Sequence, residues 1–164
     1  TPRKGHLVIT DRYPGFVRHG LIELGYIKNA HSVGTDSVAF NVQPRSTGQL
    51  LIGSSRQLGT FDTAVDPPML HQMLRRAVEY IPELSGVAAI RTWTGLRAAT
   101  SDSLPLIGPW PGAGGGVWLA TGHEGLGITT ALGTAKLLAA QMLGVPPPIP
   151  AEPYLPQRAA VTHG

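Results

Sequence analysis

In Val117-Trp118-Leu119-Ala120-Thr121-Gly122-His123-Glu124-Gly125-Leu126-Gly127-Ile128, an apolar strand pattern enters a turn with three glycines and continues into a helical pattern. A helix that begins at such a turn directs unpaired backbone N–H groups and the positive end of its dipole at whatever lies above the loop. The glycines either tighten the connection or leave these amides bare for a ligand. Their density, three in six residues, favours a site that meets an electron-rich group.

A helix is predicted from about Gly127 to Met142, and Gly144 is expected to end it. The residues expected on its buried side are Ile128, Ala131, Leu132, Ala135, Leu138, Ala139 and Met142. Small residues such as Thr130 and Gly133 would let a neighbouring sheet or cofactor approach closely. The proline-rich tail that follows is expected either to lie over its own domain or to bind an aromatic-lined groove.

Upstream of this unit, short apolar segments separated by turn residues indicate an antiparallel sheet. The predicted strands are His6–Thr10, Leu21–Ile27, Ser37–Val42 and Gln49–Gly53. Pro44 and Gly48 indicate a hairpin loop between the last two. One amphipathic helix follows, with Asp66 as its cap, Pro67 as its first residue and Pro82 at its end. Its expected core face contains Met69, Leu70, Met73, Leu74, Ala77, Val78 and Ile81.

The composition excludes several classes of protein. The chain has 164 residues, of which 42% are apolar, enough to close a core without disulfides. The 13 Lys and Arg residues against 10 Asp and Glu give a net charge of only +3, and they are scattered, so no nucleic-acid partner is expected. There is no cysteine, and the six histidines lack the spacing of metal ligands, so no metal site is expected. Without a membrane-spanning apolar run, we expect a soluble, intracellular protein.

Several well-known motifs do not match this sequence. The spacing of Gly122, Gly125 and Gly127 differs from the dinucleotide fingerprint G-x-G-x-x-G. Residues 112–116 are glycine-rich but lack the Lys-Ser/Thr of a phosphate loop, and they predict a hairpin connection. No Ser-His-Asp arrangement can be assigned. Because Thr1 opens the sequence in what reads as the middle of a domain, we expect a truncated, processed or second-polypeptide fragment.

Two further segments lie upstream of the glycine turn: Trp93-Thr94-Gly95-Leu96-Arg97 and Thr100-Ser101-Asp102-Ser103-Leu104-Pro105-Leu106-Ile107-Gly108. Together with the turn, they resemble the C-terminal part of the D-amino-acid oxidase/dehydrogenase superfamily of flavoproteins, which includes glycine oxidase-like enzymes. A pattern close to G-H-x-x-x-G-I matches at the turn, and G-x-R matches at Gly95-Leu96-Arg97. The chain departs from the family pattern at Ala98, where proline is common, and at Ser103, where glycine is common.

The resemblance implies an α+β fold. A mostly antiparallel substrate-domain sheet with one packed helix (1–98) would precede a strand–glycine turn–helix that belongs to an FAD-binding domain (99–145), followed by the tail (146–164). FAD is the implied cofactor, and its isoalloxazine ring would face Gly122, His123, Glu124, Gly125, Leu126, Gly127, Ile128 and Thr129. Arg97 would hold the substrate carboxylate. The strand residues Asn41, Gln43 and Ser55 are candidates for the substrate pocket, and alternation places Asn41 and Gln43 on one face.

The implied activity is the oxidative deamination of a D-amino acid, glycine or an imino acid to a 2-oxo acid by hydride transfer to flavin. Electrons would pass to oxygen or to a respiratory carrier. The protein would be cytoplasmic, or peripheral at the inner membrane through its electron acceptor. The partners expected are the amino-acid substrate and an N-terminal FAD-binding half or subunit, with homo-oligomers left open. We expect the isolated chain to bind FAD weakly or not at all and to turn over no substrate. The alternative is a non-catalytic structural or interaction module that retains the scaffold.

For individual side chains, the residues leave two roles open. His123 is either a proton carrier near neutral pH or a structural hydrogen-bonding residue. Asp102 is expected to organise its turn through its own backbone rather than to act as a base.

Overall fold

Residues 2–96 form a five-stranded sheet and a helix that packs on it. The computed structural model describes residues 2–24, 36–114 and 116–160, and it divides the chain between Leu96 and Arg97. The strand order is β2-β3-β4-β1-β5, and the pairs β2–β3, β3–β4 and β4–β1 are antiparallel. The strands are β1 (Pro2–Arg12), β2 (Leu21–Ile22), β3 (Ser37–Pro44), β4 (Gln49–Leu58) and β5 (Ala89–Ala98).

The predicted strands are present, and β1, β3 and β4 extend beyond their predicted ends. The prediction of a strand over Leu21–Ile27 is wrong in its length, because β2 ends at Ile22; residues 25–27 lie outside the described part of the chain. The hairpin between β3 and β4 is confirmed. Its loop closes with a hydrogen bond from the Gly48 N–H to the Arg45 carbonyl at 2.9 Å, and Gly48 has the positive φ of 87° that glycine tolerates.

Helix α1 (Pro67–Tyr80) covers one face of this sheet. The carboxylate of Asp66 accepts a hydrogen bond from the Met69 N–H at 3.2 Å, which confirms it as the cap. Met73 and Ala77 are buried against Val8 and other core residues of the strands. The helix ends at Tyr80, and Pro82 opens a 3₁₀ turn (Pro82–Gly86), as the sequence predicts.

From Arg97 onward, a hairpin and a longer helix form the second compact unit. Strands β6 (Leu106–Pro109) and β7 (Trp118–Thr121) pair antiparallel, so the glycine-rich segment between them is a hairpin connection. Helix α2 spans Gly127–Leu143 and ends at Gly144, whose φ of 66° is left-handed, as expected for a terminating glycine. A 3₁₀ turn (Glu152–Tyr154) and a short helix α3 (Gln157–Ala160) complete this unit.

The predicted buried side of α2 is wrong. Leu137 and Ala140 are the buried residues, whereas Ile128 is 97% exposed and Leu132 is 82% exposed. The other expected core residues are exposed or only half-buried: Ala131, Ala135, Leu138, Ala139 and Met142. Alanine and leucine occur on most sides of α2, so periodicity did not identify the side that packs on β6 and β7. Among the described helices, none is long and apolar enough to cross a membrane.

Candidate functional site

The glycine turn between β7 and α2 is held by hydrogen bonds of its own backbone. The Leu126 N–H donates to the His123 carbonyl at 2.9 Å, and the Glu124 N–H donates to the Ala98 carbonyl at 2.8 Å. Gly122 and Glu124 both have positive φ, at 83° and 51°. The chain therefore reverses tightly after β7 and enters α2 at Gly127.

The three glycines of this turn differ in what surrounds them. A Cβ added at Gly122 would lie 2.8 Å from Thr100 Cγ2, so packing and positive φ both require glycine there. A Cβ at Gly125 would meet no described atom within 4 Å, and one at Gly127 would make only an ordinary 3.7 Å contact with His123 Cβ. Internal packing therefore accounts for Gly122 and leaves open space above Gly125.

The start of α2 is uncapped by side chains and lies beside exposed apolar side chains. Among the described residues, no side chain caps this helix, and its first backbone bond runs from the Thr130 N–H to the Leu126 carbonyl at 2.9 Å. Leu126 and Ile128 are exposed on either side of Gly127. An uncapped helix start and exposed apolar side chains together suit a flat aromatic ligand with an electron-rich edge. The residues present thus fit the isoalloxazine ring that the sequence led us to expect.

His123 connects the turn to the helix. Its Nε2 lies 2.8 Å from Thr134 Oγ1, about two turns into α2, and its backbone forms an isolated bridge with Ala99. Both contacts fix the turn against its own unit. This arrangement supports the structural role for His123 over that of a proton carrier.

Arg97 lies near the end of β5 and is half-buried. The next residue, Ala98, accepts the hydrogen bond from Glu124, so the backbone brings the Arg97 segment against the glycine turn. A guanidinium at this place could bind a carboxylate with two parallel hydrogen bonds.

Asp102 organises the turn after this strand, as predicted, because its Oδ1 accepts a hydrogen bond from the Leu104 N–H at 3.0 Å. Ser103, in the same turn, has a left-handed φ of 61°. The Arg158 guanidinium beside Asp102 holds the pKa of that carboxyl down at about 2. Sequence reasoning did not identify Arg158, since its partner is 56 residues away along the chain.

The three pocket candidates of the sheet do not share a face. Gln43 Nε2 donates to Asn41 Oδ1 at 3.2 Å, so these two side chains lie together, opposite Phe40 and Val42 in the core. The side chain of Ser55 is buried on the helix-covered side, where its Oγ accepts a hydrogen bond from the His6 N–H at 2.9 Å. This position favours a structural role for Ser55.

His6 is a buried residue whose role the sequence did not indicate. Its Nε2 accepts a hydrogen bond from the Asp66 N–H at 2.9 Å, and its Nδ1 lies 2.8 Å from Ser55 Oγ. Burial, followed by the nearby charge of Lys4, lowers the pKa of His6. The signal available in the sequence was alternation, because His6 precedes Val8 and Thr10 on the inward side of β1.

Comparison with known proteins gives a consistent result. A family model described as DAO, FAD dependent oxidoreductase, matches residues 1–141. The chain is 37% identical over 113 residues to a glycine oxidase of Pseudomonas aeruginosa, covering 69% of this chain and 31% of that protein. It is 31% identical over 159 residues to the hydrogen cyanide synthase subunit HcnC of Pseudomonas protegens, covering 97% of this chain and 34% of that protein.

A solved structure agrees with these matches. Glycine oxidase from Geobacillus kaustophilus superposes with a TM-score of 0.75 at 26% identity, over 94% of this chain and 38% of that chain. The chain therefore spans about a third of the length of the relatives that it matches.

Proposed function

Because this chain belongs to the DAO family of FAD-dependent oxidoreductases, we propose that it supplies the substrate sheet and the flavin-facing turn of an amino-acid oxidase or dehydrogenase. The observation that carries the proposal is the open space above Gly125 beside the uncapped start of α2. The reaction would convert a D-amino acid, glycine or an imino acid to a 2-oxo acid by oxidation at the Cα–N bond, followed by hydrolysis of the imine.

The start of α2 would hold the ring of FAD, with the amides of Gly127, Ile128 and Thr129 as donors. Bound FAD supplies the acceptor for the hydride removed from Cα. Amides and the positive end of the helix dipole stabilise negative charge by about 0.3–2 kcal/mol, depending on burial. This stabilisation would favour the oxidation of the substrate. Leu126 and Ile128 would exclude water from the ring.

Arg97 would bind the substrate carboxylate and thereby orient Cα. Its guanidinium has the planar fork that suits two carboxylate oxygens. Asn41 and Gln43 share one side of the sheet and are the proposed contacts for the substrate side chain. Ser55 is not included, because its hydroxyl is bonded to His6.

The ADP half of FAD would bind to polypeptide other than these 164 residues, since they contain no G-x-G-x-x-G fingerprint. That polypeptide would be either an N-terminal half or a partner subunit. By itself the chain should bind flavin weakly and turn over no substrate, because much of the binding energy of a dinucleotide comes from its phosphate site.

A titration that detects weak binding tests this function. Flavin mononucleotide at millimolar concentration is added to the chain, with AMP as a control for the phosphate, and backbone amide chemical shifts are followed by NMR. We expect shifts at residues 125–129 and at Arg97 that AMP does not produce. Gly125→Leu should abolish them by filling the open space, while Gly133→Leu, at an equally open glycine of α2, should retain them.

The proposal would be overturned if flavin mononucleotide shifted no amide in the turn. It would equally be overturned if the Gly125→Leu and Gly133→Leu variants responded alike.

A further inference from the structure

The residues after α2 fold back on their own unit. We call Glu152–Arg158 the C-terminal strap. Pro156 is fully buried, and a Cβ added at Gly108 of β6 would lie 3.1 Å from Leu155 Cδ2 and 3.3 Å from Pro156 Cδ. The strap therefore packs closely on β6, beside the strand that leads into the glycine turn.

Arg158, at the end of the strap, binds the turn at 102–104. Its Nε donates to Asp102 Oδ2 at 2.6 Å and its Nη2 to Asp102 Oδ1 at 3.3 Å, and Nη2 also donates to the Leu104 carbonyl. Nη1 donates to the Leu155 carbonyl at 3.3 Å within the strap. The Arg158 guanidinium thus joins the strap to the turn at 102–104 through charge-assisted hydrogen bonds, which fix orientation as well as distance.

The other side of the same segment supports the glycine turn. Thr100 Oγ1 donates a hydrogen bond to the Leu104 carbonyl at 2.7 Å. The same carbonyl accepts the hydrogen bond from Arg158 Nη2. Thr100 Cγ2 is the atom that a Cβ at Gly122 would meet. The bridge from Ala99 to His123 and the bond from Glu124 to Ala98 add two more contacts.

We propose that Arg158 is a positioning residue that clamps segment 98–105 against the glycine turn and so fixes the amides at the start of α2 and the backbone of Arg97. The ordering of the turn follows from these contacts alone. Its benefit for flavin and carboxylate binding rests on the function proposed above.

The test measures amide hydrogen exchange in the 164-residue chain. The reporter is the Glu124 amide, which donates to Ala98, and the comparator is the Leu137 amide in the middle of α2. Arg158→Ala should speed exchange at Glu124 about tenfold or more relative to Leu137, the scale set by one lost charge-assisted bond. Arg158→Lys should give a smaller change, since it keeps the charge without the fork.

Two further variants keep the test informative. Asp102→Asn keeps an acceptor for the Leu104 N–H but loses the ion pair with Arg158. It should therefore speed exchange at Glu124 as Arg158→Ala does. Combining the two substitutions should speed exchange little further. Lys136→Ala removes a charge from the exposed side of α2 and should leave Glu124 unchanged.

Unchanged exchange at Glu124, or an equal rise at Glu124 and Leu137, would overturn the clamp. Faster exchange at Glu124 alone would support it even if flavin mononucleotide shifted no amide, and that combination would count against the proposed function only.

Discussion

Gly122 and Gly125 stand in one turn and differ in the space above them. Gly122→Ala should lower the free energy of unfolding by about 2 kcal/mol or more, because the new Cβ would meet Thr100 at 2.8 Å and φ is positive. Gly125→Ala should change it by no more than about 0.5 kcal/mol. Urea unfolding measures the free energy of unfolding of both variants. Equal losses of stability would show that the space over Gly125 is filled.

Arg97 is the residue on which substrate binding is proposed to depend. In the complete enzyme, Arg97→Ala should raise KM by roughly 10–100-fold, with kcat less affected, because a charged hydrogen bond contributes about 1.5–3 kcal/mol to binding. Arg91→Ala is the matched control: it lies on the same strand, is exposed, and stacks on Trp93 at 5.7 Å. Steady-state kinetics with amino-acid substrates measure this change. An unchanged KM for Arg97→Ala would show that Arg97 does not bind the substrate.

At the scale of elements, α2 has one packed side and one uncovered apolar side. Leu137→Ala should lower the free energy of unfolding by about 2–5 kcal/mol, because Leu137 is 1% exposed. Leu132→Gln, on the uncovered side, should change it by no more than about 0.5 kcal/mol. Chemical denaturation of the two variants distinguishes the sides. A large loss for Leu132→Gln would instead support the face that periodicity predicted.

The N-terminus of α1 makes stability depend on pH. His6 Nε2 accepts a hydrogen bond from Asp66, so this contact needs the neutral imidazole. Burial lowers the pKa of His6 from its ordinary 6.5, so below about pH 6.5 the unfolded chain binds a proton that the folded chain rejects. The free energy of unfolding should therefore fall as the pH drops below 6.5. Above that pH, the stabilisation that neutral His6 contributes should be fully present.

Urea unfolding at pH 7.5 and pH 5.5 measures this fall, at values chosen about one unit either side of the ordinary histidine pKa. His6→Gln should make the two values more nearly equal, while the remaining histidines are unchanged. The same fall in His6→Gln as in the natural chain would assign the effect to another group. The pKa of Asp66 is also lowered, mainly by the hydrogen bond from the Met69 N–H. This shift affects the free energy of unfolding only at lower pH.

At the scale of the whole molecule, local signals in the sequence were sufficient for most elements. The caps at Asp66 and Gly144 and the hairpin loop at 44–48 are short-range features, and each was predicted correctly. The packed side of α2, the His6 network and the Arg158 ion pair depend on residues about 30 to 60 positions apart, which no local period records. The site residues Arg97, Asn41 and Gln43 remain proposals, because their identification depended on the resemblance to a family.

The open position in the glycine turn also provides a chemical probe. The chain has no cysteine, so Gly125→Cys would introduce a single thiol where a Cβ meets no described atom. Its alkylation rate would be fast in the uncovered turn and would slow when any molecule covers it. One labelled position could thus act as a footprint for whatever binds there, in crude mixtures as well as with purified components.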